Sequence, residues 1–116
     1  MLHALIIEDE WAIALHLEEA VLQAGAVSVS VAATEKEAVE LATLRAPDLI
    51  ASDVRLMEGS GPAAVTTIIK AIGPRPVVFF TAWPQDCIGY DGEAEIVTKP
   101  ATLSRLVSVF QKHLHG

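Results

Sequence analysis

The sequence predicts an α/β domain built on a doubly wound parallel sheet. Five short apolar runs bounded by turn residues recur along the chain, and stretches with helical apolar spacing separate them. An ionisable or hydroxyl residue stands directly after four of the five runs. Strands that alternate with helices pair in parallel, and right-handed crossovers set the helices on both faces of the sheet.

The first run, Leu5-Ile6-Ile7, is a buried strand followed at once by Glu8-Asp9-Glu10. From Trp11 to Ala24 apolar residues recur at helical spacing (Ile13, Leu17, Ala20, Val21, Ala24), and Gly25 stops that helix. Val27, Val29 and Val31 alternate with Ser28 and Ser30, the period of a strand with one solvated face, which predicts a sheet edge. Thr34-Glu35-Lys36-Glu37 is a capping box that opens a helix through Ala38, Leu41 and Ala42, ending before Pro47. The third strand, from Asp48 to Ser52, delivers Asp53 to its carboxyl end, and a loop with Gly59 and Gly61 follows. Pro62 suits a first helical position, and Val65, Ile68, Ile69 and Ile72 line one face until Gly73-Pro74. Val77 to Phe80 is a fourth strand, buried on both sides, that terminates at Thr81. Pro84, Gly89 and Gly92 limit any helix between Ala82 and Glu93 to two turns, with Cys87, Ile88 and Tyr90 as its sizeable apolar anchors. Ala94 to Val97 is the fifth strand, ending at Thr98-Lys99-Pro100, and Leu103, Leu106, Val107, Phe110 and Leu114 mark the last helix.

Composition narrows the function. A chain of 116 residues is expected to form one domain, residues 1–116, that needs neither a disulfide nor a structural metal to fold. No apolar stretch approaches the roughly 18 residues of a membrane span, and no signal peptide opens the chain, so a soluble cytoplasmic protein without membrane contact is expected. The single Cys87 is read as an ordinary thiol. A net charge of −7 without clustered Lys or Arg argues against direct nucleic-acid binding and favours protein partners. The four histidines lack metal-ligand spacing except for His113-x-His115, which is expected to fray in solvent.

Open parallel sheets bind ligands in the crevice beyond the carboxyl ends of their strands. Glu8 and Asp9 follow the first strand, Asp53 the third, Thr81 the fourth and Lys99 the fifth, so carboxylates, a hydroxyl and an ammonium converge on one rim. Singly, each has a plainer role: a helix N-terminal charge, a turn, a cap or a snorkelling lysine. Together they resemble the receiver domain of two-component response regulators over the whole chain, with Glu8-Asp9 as the acidic pair and Asp53 as phosphoacceptor. Gly61 eight residues later, Thr81-Ala82 as the switch hydroxyl and its small neighbour, and Lys99-Pro100 complete the pattern.

The resemblance implies a flavodoxin-like strand order 2-1-3-4-5 and a phosphoryl group accepted from a phosphohistidine on a sensor histidine kinase or a phosphotransfer protein. It implies Mg²⁺ held by Glu8, Asp9, Asp53 and the main-chain carbonyl of Arg55, with Thr81, Ala82 and Lys99 binding the phosphoryl oxygens. It further implies a stand-alone regulator that is a phosphoacceptor with self-catalysed transfer and autodephosphorylation rather than a dedicated enzyme; its oligomeric state is left open. Four features depart from the family pattern: Glu8 where Asp is commoner, Met57 where proline often stands, Ile96 in place of the switch aromatic, and a short Thr81–Lys99 interval. That interval is about four residues, one helical turn, below the family pattern, so the fourth helix is expected to be short or irregular. Trp83 or Tyr90 are the available substitutes for the aromatic. The rival readings are a receiver-like module that binds protein without being phosphorylated, a flavin or nucleotide binder on the same fold, and a phosphatase of the haloacid dehalogenase type. The second would want a Gly/Ser/Thr-rich loop where Glu8-Asp9-Glu10 stands, and the third a second Asp where Arg55 stands.

Overall fold

In the computed structural model, which describes residues 1–87, 90 and 92–115, five strands form one parallel sheet in the order β2-β1-β3-β4-β5. They are His3–Ile7 (β1), Ser28–Ala32 (β2), Leu49–Ser52 (β3), Val77–Thr81 (β4) and Glu95–Thr98 (β5). Helices Trp11–Ala24 (α1) and Leu103–His115 (α4) cover one face, and Glu35–Leu44 (α2) and Gly61–Ile72 (α3) the other. The doubly wound architecture and its strand order are therefore as the sequence predicts.

Alternation along β1 explains how one strand feeds two cores. Ala4 and Ile6 join Leu17, Phe80 and Phe110 on the α1/α4 side, while Leu5 and Ile7 join Ile50, Ile68 and Phe79 on the other. Fully burying side chains of this size contributes roughly 1.5–3 kcal/mol each. The central strands β1, β3 and β4 are buried at every residue.

Local signals act largely as predicted. Thr34 caps α2, its Oγ1 accepting the Glu37 N–H at 3.1 Å, and Glu37 reaches back one residue further than a capping box requires, to the Ala33 N–H at 2.7 Å. Helix α3 begins at Gly61 rather than Pro62, because Ser60 is the cap and accepts the Ala63 N–H at 3.1 Å. Val109, absent from the predicted apolar stripe, is buried with Leu106 and Phe110.

Two expectations change, and the short fourth helix is found. Strand β2 does lie at the edge, but its serine face is not left to water: the buried His3 ring sits between Ser28 Oγ at 2.8 Å and Ser30 Oγ at 2.9 Å. The C-terminal histidines are held rather than frayed. His113 Nε2 lies 2.7 Å from Glu95 Oε1, and His115 Nε2 donates to the Ala24 carbonyl at 2.8 Å. Between β4 and β5 the described residues form a single 3-10 turn, Pro84–Cys87, with Cys87 buried and Tyr90 packed edge-on against Phe79 at 5.2 Å. Ile88 and Gly89 lie outside the described residues. Ile96 is exposed on β5, as expected where so little covers this part of the sheet.

Candidate functional site

The carboxyl ends of β1, β3 and β5 bring three of the predicted residues into direct contact. Lys99 Nζ lies 3.0 Å from Glu8 Oε1 and 3.1 Å from Asp53 Oδ2, a charged bridge between residues 91 and 46 positions away in sequence. One carboxylate oxygen from each of Glu8, Asp9 and Asp53 falls within 4.8 Å of the others. The register sets this up: Ile7 lies beside Ser52 in the sheet, so the residues that follow them, Glu8 and Asp53, leave the sheet side by side. Asp53 is fixed by its own main chain, its N–H donating to the Ile7 carbonyl at 2.9 Å and its Oδ1 accepting the Val54 N–H at 2.7 Å.

Electrostatics at the bridge are set by burial. Glu8 is fully buried, and desolvation raises its carboxyl to a pKa of about 7, the negative charge of Asp53 adding to the rise and Lys99 opposing it. For Lys99, burial favours the neutral amine, but hydrogen bonds and charge from Glu8 and Asp53 together outweigh it and hold the ammonium above its ordinary value. The folded state therefore binds a proton on Glu8 between the model-compound value of 4.5 and about 7, where the unfolded chain has already lost it. Stability from this group is fully present below the lower value and is lost as pH rises through the upper one. Relative to wild type, Glu8→Gln is expected to gain on the order of 2 kcal/mol between pH 5 and pH 8 in the metal-free protein. Denaturant unfolding at both pH values checks this; a difference between the two proteins that does not change with pH would show that Glu8 does not titrate in this range.

The loop after β3 is closed on itself. Arg55 and Ser60 form an antiparallel bridge, the Gly61 N–H donates to the Val54 carbonyl at 2.9 Å, and Gly59 turns the chain at φ 84°. Beneath it the buried Ser52 hydroxyl donates to the Asp53 carbonyl at 2.6 Å. Met57 is exposed, yet its main-chain N–H donates to Asp9 Oδ2 at 2.8 Å, a bond that proline could not make. Arg55 reaches the other way: its Nε lies 2.5 Å from Asp86 Oδ2, and its guanidinium stacks 4.1 Å from the centre of the Trp83 ring. The loop after β3 and the 3-10 turn are thereby tied together. Thr81 is fully buried, and its Oγ1 accepts the Trp83 N–H at 2.9 Å, so the hydroxyl also shapes the turn that follows it. Its proton remains available for a second partner, and the Lys99 N–H donates to the Thr81 carbonyl at 2.9 Å. Ala82 is exposed at the rim.

Comparison with known proteins shows the family of the chain. The family described as "Response regulator receiver domain" matches residues 4–111. The chain belongs to that family. Among similar proteins, the phyllosphere-induced regulator PhyR of Methylorubrum extorquens is 43% identical over 83 residues, 70% of this chain and 31% of PhyR. The transcriptional regulatory protein PdtaR of Mycobacterium tuberculosis is 35% identical over 112 residues, 92% of this chain and 54% of PdtaR. The chain thus spans about a third to a half of these curated relatives. The receiver domain of Erythrobacter litoralis PhyR, solved in solution, superposes with a TM-score of 0.86 at 32% identity, over 97% of this chain and 89% of that one.

Receiver domains are signalling modules that generally use Mg²⁺, and the donor set here fits such an ion: three carboxylates offer only hard oxygen ligands, close enough to share one cation. Each carboxylate is already oriented by another bond, Glu8 by the Glu10 N–H at 3.3 Å, Asp9 by Met57 and Asp53 by Val54. Among the described residues no helix is long and apolar enough to cross a membrane. Of the candidates for the missing receiver aromatic, Trp83 stacks on Arg55 and Tyr90 on Phe79. Sequence reasoning missed Ser52 and Asp86 and took Met57 only as a departure from the family pattern; Ser52 and Met57 act on or through main-chain atoms, which side-chain identity does not announce.

Proposed function

We propose that residues 1–116 act as one receiver unit that accepts a phosphoryl group on Asp53 and signals through protein contacts. The observation that carries this reading is the Lys99 bridge: a half-buried ammonium held between Glu8 and Asp53 at the ends of three strands is poised to change partners when charge is added to Asp53. The donor would be a phosphohistidine on a sensor histidine kinase or a phosphotransfer protein, in the cytoplasm, where such donors act. An Asp53 carboxylate oxygen attacks phosphorus in line, the P–N bond breaks, and its electron pair returns to the imidazole, leaving an acyl phosphate. No base is required, since the nucleophile is a carboxylate. Glu8, Asp9, Asp53 and the Arg55 carbonyl would hold Mg²⁺, which when bound supplies most of the charge that neutralises the phosphoryl oxygens.

The chain's own residues supply the rest. Lys99 pairs with one phosphoryl oxygen, and the Thr81 hydroxyl and Ala82 N–H bond another. Because the Lys99 N–H is bonded to the Thr81 carbonyl, a pull on the Lys99 side chain is transmitted to the β4 and β5 ends together. The Arg55 tie then carries loop movement to the 3-10 turn, without an aromatic at Ile96. Hydrolysis of the acyl phosphate returns the protein to its starting state, so the unit is a self-dephosphorylating acceptor rather than a dedicated enzyme.

Intact-mass measurement after incubation with acetyl phosphate and Mg²⁺ tests this. The wild type is expected to gain one phosphoryl mass and Asp53→Asn none. No gain in the wild type would favour a protein-binding module that works without phosphorylation; a gain retained by Asp53→Asn would place the acceptor elsewhere.

A further inference from the structure

Strand β2 is an edge strand with none of the usual protection against pairing. From Ala26 to Ala33 the chain carries no charge, no proline and no glycine, the devices with which edges are normally blunted. On the α1 face of this edge, apolar side chains stand in water: Val27 is 56% and Val31 40% exposed, and Leu15 and Leu22 on α1 are 52% and 45% exposed. The Glu8 N–H donates to the Ala32 carbonyl at 2.9 Å, so in the alternation of a strand Ala32, Ser30 and Ser28 bond toward β1. Val29 and Val31 therefore turn their main-chain N–H and C=O groups to the open edge. The Ser28 and Ser30 hydroxyls are engaged by His3 on the α2/α3 face and do not stand in the way.

The sequence of the edge specifies what fits it. Val27-Ser28-Val29-Ser30-Val31 reads the same in both directions, and it is centred on a residue whose main-chain groups face the open edge. We propose that β2 pairs antiparallel with β2 of a second copy about a two-fold axis at Val29, giving a continuous ten-stranded sheet. In that register Val29 and the partner's Val29 exchange both main-chain hydrogen bonds across the axis. Val27 meets the partner's Val31 at both ends of the seam, on the same face as Val29. Both α1 helices then lie on the same face beside the seam, bringing their exposed leucines toward it. The two Asp53 crevices end on opposite rims of the extended sheet and stay open, so pairing is compatible with phosphoryl transfer.

Sedimentation equilibrium and hydrogen exchange on the whole chain test this, at protein concentrations on the order of 0.1–1 mM and with enough salt to screen a net charge of −7 per chain. A monomer–dimer equilibrium is expected, with the Val29 and Val31 amides exchanging more slowly as concentration rises. Val27→Lys/Val31→Lys sets like charges opposite each other at both ends of the seam and is expected to weaken the dimer at least tenfold. Val27→Lys/Val31→Glu sets unlike charges there and is expected to restore it. Both positions are solvent-exposed, and the exchange result on wild type does not depend on either variant folding. A wild type that stays monomeric across this range, amides at Val29 and Val31 indifferent to concentration, or dimers equally stable in both double variants would overturn the proposal.

Discussion

Gly61→Ala is expected to destabilise the protein by about 3 kcal/mol or more, although a helical glycine normally costs roughly 0.5–1 kcal/mol relative to alanine and its replacement should help. Gly61 opens α3 with its backbone pressed against the end of β3. A Cβ there would lie closer than 3.0 Å to the Asp53 carbonyl group and to Ser52 Oγ. The Ser52 hydroxyl can rotate away, but it would give up its bond to the Asp53 carbonyl, and that carbonyl cannot move without displacing Asp53 itself. Overpacking costs typically 1–3 kcal/mol, and here the Gly61–Val54 hydrogen bond and the Arg55–Ser60 bridge are at risk as well. Denaturant unfolding of Gly61→Ala and of Ser52→Ala/Gly61→Ala separates the contributions. Removing the hydroxyl should recover only a minor part of the loss, since main-chain atoms remain in the way. A neutral or stabilised Gly61→Ala would mean that β3 and α3 are not held this close.

What was legible in the sequence is what topology alone determines. Strands that alternate with helices pair in parallel, and parallel strands all end on one rim, so Glu8, Asp9, Asp53 and Lys99 could be gathered from their positions after apolar runs. The edge position of β2 was legible from Val27 to Val31 for the same reason. The partners of individual atoms were not. Nothing in the identity of Met57 shows that its N–H would orient Asp9, because every residue but proline has that donor. Ser28 and Ser30 read as solvated because the alternation gives only a face, and His3, which occupies that face, lies 25 residues away from Ser28. Arg55 entered the sequence reading for its carbonyl and for not being a second Asp, while its side chain joins Trp83 and, across 31 residues, Asp86. Thr81 was chosen for a hydroxyl aimed at a phosphoryl group, and the same hydroxyl also starts the next turn, a role available to any threonine at a strand end.

Lys99→Met is expected to lose about 3–5 kcal/mol at pH 8 in the absence of metal and less than half of that at pH 5. Methionine keeps an apolar side chain of similar reach while removing the ammonium, whose nitrogen lies 5.5 Å from the centre of the Phe80 ring, so the comparison isolates charge from packing. Above the Glu8 titration near pH 7, the variant must either hold Glu8 and Asp53 ionised and unpaired beside each other or take up a proton; breaking a buried pair by deleting one partner costs about this much. Near pH 5 Glu8 is already protonated in the folded wild type, so less charge is left uncompensated. The sign follows from linkage: without Lys99, which opposes the rise, the Glu8 carboxyl titrates higher still, and stability is lost as pH climbs through that value. Thermal unfolding reports the change as a drop of roughly 10–20 °C at pH 8. Millimolar Mg²⁺ should then raise the melting temperature of the variant more than that of wild type, because a cation among Glu8, Asp9 and Asp53 replaces the missing charge. A cost that is the same at both pH values would assign Lys99 a packing role. A variant no more responsive to Mg²⁺ than wild type would mean that the ammonium and the metal do not serve the same carboxylates, and phosphorylation of Asp53 could not then draw Lys99 away by competing for it.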